Sequence, residues 1–125
     1  MMGAKGPKML QLAVRHADIW SWYVEERSDL TEFGPRLATM LAACDAAGRD
    51  PATIGRSAGI VVEPTPVTGA ADVLAVPVSG TTEEIADAIR AFGTAGYTQV
   101  ELLLWPPTLA ALEAMAPVLE LLDSD

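Results

Sequence analysis

The chain has 125 residues, a formal net charge of −9 and an isoelectric point near 4.4, and half of its residues are apolar. A compact chain of this size takes roughly 65% of its unfolded surface out of water, so one domain with a real core is expected, while the negative charge opposes nonspecific attraction to nucleic acid or anionic membranes. No run approaches the roughly 18 apolar residues of a membrane helix, and the mean hydropathy of +0.27 therefore points to buried strands or a subunit interface.

Both lysines of the protein, Lys5 and Lys8, stand at the N-terminus. No continuous apolar stretch or cleavage pattern follows them, so no signal peptide is expected and a cytoplasmic chain is the default. Gly6-Pro7 suits a helix start, because the first helical position leaves its N–H unused and proline has none. Met9, Leu10, Ala13 and Ala17 then recur at helical spacing. From Ala17 to Val24, the residues Ile19, Trp20, Trp22, Tyr23 and Val24 read as a strand. Glu25 to Asp29 follow as its exit loop.

Ser28 or Asp29 can cap the next helix, with Glu32 placed to complete a capping box from Asp29. Leu30, Phe33, Leu37, Met40, Leu41 and Cys44 form its apolar stripe and Gly48 stops it. Cys44 is the single cysteine, which excludes an intramolecular disulfide or a cysteine metal cluster and reads as core. Asp50-Pro51 opens a short turn. Ser57 to Glu63 is the near-continuous apolar run of a parallel strand covered on both faces.

Residues 64–80 are broken by Pro and Gly, although Val73 to Val76 can make a short extended segment. Thr81 and Glu84 give a second capping box before Ile85, Ala88, Ile89 and Phe92, and Gly93 or Gly96 ends that helix. Thr98 to Trp105 is a third strand, stopped by Pro106-Pro107. A final helix carries Leu109, Leu112, Met115, Ala116, Leu119 and Leu122, with Pro117 expected to kink or restart it. Helices alternating with apolar strands imply a parallel α/β sheet, since each parallel crossover needs a connecting helix. Three strands alone expose two edges.

Three segments in this order, GAKGPKMLQLAVRHADIW, ACDAAGRDPATIGRS and SGTTEEIADAIRAFGTAGYTQVEL, resemble the C-terminal half of the luciferase-like monooxygenases, a TIM-barrel family using flavin or deazaflavin. The resemblance implies a match from the end of the fifth strand through the eighth helix, with the strand before Gly3 missing. It implies a single half-barrel domain over residues 1–125, with three to four parallel strands and flanking helices. Homodimerisation is expected to complete it: a strand at 73–76 gives four per chain and eight per dimer, the number a closed barrel of this class needs. Closure removes exposed edges.

Barrel ligands sit at the C-terminal strand ends, and helix N-termini attract phosphate. Gly3, Lys5, Gly6 and Lys8 are therefore cofactor-binding candidates, against the alternative of a solvated helix start. Ser79, Gly80 and Thr81 form a second candidate set, although Thr81 is equally explained as an N-cap. Asp18, Trp20 and Trp22 share one strand face, towards either the barrel interior or the helices, so Trp20 can stack on a cofactor ring or pack in the core. His16, the only histidine, stands at a helix end, where a cation favours the dipole. Glu101 needs a partner if buried, with Arg56 or a ligand as candidates.

No nucleophile–base pair, metal-ligand cluster or glycine-rich nucleotide fingerprint is recognisable, so the catalytic residues are unassigned and no metal is expected. The resemblance implies a flavin- or deazaflavin-binding oxidoreductase-like half-barrel, with flavin mononucleotide or the deazaflavin coenzyme as cofactor and any active site formed across a dimer. The alternatives are a non-catalytic dimeric scaffold, structural or binding some small ligand, and a truncated fragment without activity.

Overall fold

The computed structural model describes residues 2–3, 7–64 and 75–123. In chain order these form β1 (Met2–Gly3), α1 (Pro7–His16), β2 (Ile19–Tyr23), α2 (Leu30–Ala47), a 3-10 turn (Pro51–Thr53), β3 (Gly55–Glu63), β4 (Val78–Ser79), α3 (Thr82–Ala95), β5 (Gln99–Leu104) and α4 (Leu109–Asp123).

Every strand pairing is parallel. β1 lies on β2, β2 on β3, and β3 also carries β5. The two residues of β4 join β3 at Val62 and Glu63, beyond the point where β2 has ended. The sheet does not close: among the described residues, β1 pairs only with β2 and β5 only with β3.

The helices cover one face of this sheet. Trp20 and Trp22 of β2 and Ala58, Ile60 and Val62 of β3 meet Val14, Phe33, Met40, Cys44, Ile85, Phe92, Met115 and Val118 in one core. At its centre Tyr97 lies against Phe33, Phe92 and Trp20, and its hydroxyl donates to the Phe33 carbonyl at 2.7 Å. Burial pushes the Tyr97 phenol up, with the Glu32 charge adding to it.

Local signals act largely as their chemistry dictates. Asp29 caps α2 through Thr31 N, and Gly48 ends that helix at φ 71°, a left-handed conformation that favours glycine. Thr81 and Glu84 form a reciprocal capping box on α3, and Gly96 closes it. Arg49 ties α1 to the 3-10 turn by donating to the carbonyls of Val14, Ala17 and Thr53.

Five expectations are corrected. A first strand is present, because Met2 and Gly3 pair with Trp20 and Ser21. β3 starts two residues earlier than the apolar run, at Gly55, since pairing with Ile19 needs no apolar side chain. The short strand falls at Val78–Ser79, with an isolated bridge from Val76 to Arg27; residues 73 and 74 lie outside the described residues. Glu32 does not close a capping box with Asp29 but turns back to the loop after β2. Helix α4 runs unbroken past Pro117.

Candidate functional site

Strand alternation sorts the sheet into two faces. Trp20, Trp22, Ala58, Ile60, Val62, Val100, Leu102 and Leu104 take the helix side, so Tyr23, Ser57, Gly59, Val61, Gln99, Glu101 and Leu103 take the helix-free side. Register then aligns them across three strands. Ser21, Ser57 and Gln99 make one row, and Tyr23, Gly59 and Glu101 make the next.

The second row depends on its glycine. A Cβ on Gly59 would stand 2.3 Å from Cδ1 of Tyr23, so the phenol ring lies directly over the bare backbone of β3. It thereby crosses two strand spacings, roughly 10 Å, and its hydroxyl donates to Oε2 of Glu101 at 2.9 Å. Ser57 Oγ and Gln99 Nε2 donate to Oε1 of the same carboxylate at 3.2 and 3.3 Å. The hydrogen bond to Glu101 raises the Tyr23 pKa above the ordinary tyrosine value, with desolvation and the nearby negative charge acting in the same direction. Tyr23 therefore stays a proton donor at neutral pH.

Beside this row opens a cavity of about 500 Å³, walled by Val61, Leu103 and Trp105, with Glu25 and Glu101 as its charged lining. It stands at the C-terminal ends of β2, β3 and β5. The rim is rigid on one side because Glu32 accepts from the backbone N–H groups of Glu25, Glu26 and Arg27 and from the Trp22 indole, at 2.7–2.9 Å. Partial burial opposes Glu32 ionisation, but these donors outweigh it and hold the carboxyl below its usual range.

Trp20 is 1% exposed and stacks on Tyr97, on the helix side of the sheet; the structure does not bring it to the cavity, and core packing describes it. Gly3 ends β1 and Lys8 is exposed in the first turn of α1, at the cavity's end of the sheet, whereas Lys5 and Gly6 lie outside the described residues. Ser79, Gly80 and Thr81 are exposed at the start of α3. There Thr81 Oγ1 accepts from Glu84 N while Glu84 Oε1 accepts from Thr81 N, so the cap accounts for Thr81. His16 is exposed at the opposite end of the sheet, where α1 leads into β2.

Glu101 has the partners its position demands, but Arg56 is not among them, since that guanidinium donates to the carbonyls of Gly96 and Pro51. Sequence reasoning missed Tyr23, Gly59, Ser57 and Gln99. Alternation within β2, β3 and β5 is a readable signal for them, but their alignment depends on register. Among the described residues no group of His, Cys, Asp and Glu could hold a metal ion, and no helix is long and apolar enough to cross a membrane.

An open parallel sheet, helices on one face and a cavity at the C-terminal strand ends define a partial TIM-type barrel. Solved structures with this fold include the coenzyme F420 dependent tetrahydromethanopterin reductase from Methanopyrus kandleri, at 18% identity and TM-score 0.65, covering 94% of this chain and 48% of that one. An F420-dependent secondary alcohol dehydrogenase, in complex with an F420-acetone adduct, matches at 16% identity and TM-score 0.68, with 96% and 47% covered. The EDTA monooxygenase of Chelativorans sp. BNC1 matches at 13% identity and TM-score 0.66, with 98% and 45% covered. These are luciferase-like monooxygenase family members, the family the sequence resembles, and this chain spans about half the length of each. At these identities they share its fold. No protein-family model and no curated protein matches the sequence.

Proposed function

We propose that the chain is one half of a flavin- or deazaflavin-binding oxidoreductase barrel, acting in the cytoplasm, with its active site completed by a second copy. The observation that carries this reading is the apolar cavity at the C-terminal strand ends of a sheet with two open edges. A cavity of this size is ordinary for a small molecule, and pairing two such sheets edge to edge covers groups that otherwise invite aggregation.

The described residues fit the ring of such a cofactor better than its phosphate. Val61, Leu103 and Trp105 offer an apolar wall, and the ring of Tyr23 lies flat over Gly59. The first turn of α3 carries Glu83 and Glu84, which oppose an anion there, while the first turn of α1 carries no acidic residue and exposes Lys8. Gly3, Lys5, Gly6 and Lys8 therefore remain the phosphate candidates. When bound, the cofactor supplies hydride or electron transfer; this chain supplies the wall, the Tyr23 proton donor and the Glu101 acceptor.

Light-scattering mass combined with titration by flavin mononucleotide and by the deazaflavin coenzyme tests the proposal. A mass of twice 13.2 kDa, with binding of either cofactor weakened at least tenfold in Lys8→Ala, is the expected result. A monomer that binds neither overturns it. A dimer indifferent to both favours a non-catalytic scaffold, a reading that the placement of His16, the only histidine, away from the cavity also favours.

A further inference from the structure

We propose that the cavity selects an apolar molecule bearing a cationic nitrogen, with Glu101 as the group that recognises it. The inference rests on reading this mouth as a small-molecule site, but not on any cofactor being bound.

Among the described residues two carboxylates line the cavity, Glu25 and Glu101, and no Lys, Arg or His does. Glu101 accepts from Tyr23, Ser57 and Gln99, all neutral donors. They fix the carboxylate in direction without cancelling its charge, and among the described residues Glu101 forms no ion pair. A cation brought against this hydrogen-bonded carboxylate is attracted to it, and the attraction strengthens as water leaves.

The rest of the wall suits the body of such a ligand. Val61 and Leu103 are aliphatic, and Trp105 and Tyr23 are aromatic rings of the kind that attract cations. A ligand carboxylate placed against Glu101 meets repulsion instead. An amine and an alcohol of one skeleton meet the same apolar surface but differ at Glu101.

The test uses 3-phenylpropylamine, 3-phenylpropan-1-ol and 3-phenylpropanoate, titrated calorimetrically into the full chain. The amine is expected to bind at least tenfold more tightly than the alcohol, with the acid weakest, and Glu101→Gln is expected to abolish that preference. Amide shifts in the unaltered chain give a check independent of any variant, and must centre on Gly59, Val61 and Leu103. Equal binding of the three compounds, no binding, a preference that survives in folded E101Q, or shifts centred elsewhere overturns the inference. Amine preference without binding of flavin or deazaflavin removes the cofactor proposal and keeps this one; cofactor binding without amine preference does the reverse.

Discussion

Glu32 is a buttress for the cavity rim, because one carboxylate gathers three consecutive backbone N–H groups and the Trp22 indole. Removing it leaves the indole without that acceptor, so Glu32→Ala is expected to cost about 1–3 kcal/mol, read from the urea midpoint. Its folded pKa lies below the ordinary glutamate value of about 4.3. The stability it contributes is therefore complete above that value and is lost as pH falls through the lower folded one. Acid titration of Glu32→Gln is expected to show a shallower loss than the unaltered chain.

The Tyr23 row makes a second prediction at this scale. Gly59→Ala forces the ring off β3 and breaks its bond to Glu101. In a Tyr97→Phe background, where Tyr23 is the remaining tyrosine, phenolate absorbance is expected to rise at lower pH once Gly59→Ala is added. An unchanged titration shows that the ring does not depend on that glycine.

At the scale of elements, stability is concentrated where helices start, stop and meet. Arg49 donates to two carbonyls at the C-terminal end of α1 and one in the 3-10 turn, bonding groups that the helix itself leaves unsatisfied. Arg49→Ala is expected to cost about 2 kcal/mol, and Thr81→Ala, which removes only a cap, about 1 kcal/mol. Equal losses in thermal melts show that the Arg49 bridge adds nothing beyond a cap. Pro117 enters α4 without ending it because a missing donor on one exposed helix costs less than the burial of Met115 and Val118 returns.

For the whole molecule, the sheet edges and the outer helix offer different surfaces. Helix α4 exposes Leu109, Leu112 and Leu119 along one stripe, whereas β1 and β5 each pair on one side only among the described residues. In the proposed dimer the edges carry the pairing, so the double variant Leu112→Glu, Leu119→Glu is expected to keep a light-scattering mass of twice 13.2 kDa. A monomer in that variant moves the interface to α4.

The sequence by itself determined the parts governed by near neighbours. Asp29, Gly48, Thr81, Glu84 and Gly96 act within one helical turn, and the apolar periods of α2 and β3 bury the side chains they mark, apart from the half-buried Leu30 and the exposed Leu41. Tertiary structure decided the rest. Alternation shows that Trp20 and Trp22 share a face, yet the packing of α2 and of Tyr97 decides that this face is the core. Two residues suffice for β1 only because β2 offers its edge, and Glu32 reaches three loop amides only after that loop folds back. Tyr23 and Glu101 stand 78 positions apart. They meet because parallel register sets them on either side of Gly59, and that register is fixed by the helices packed behind the sheet.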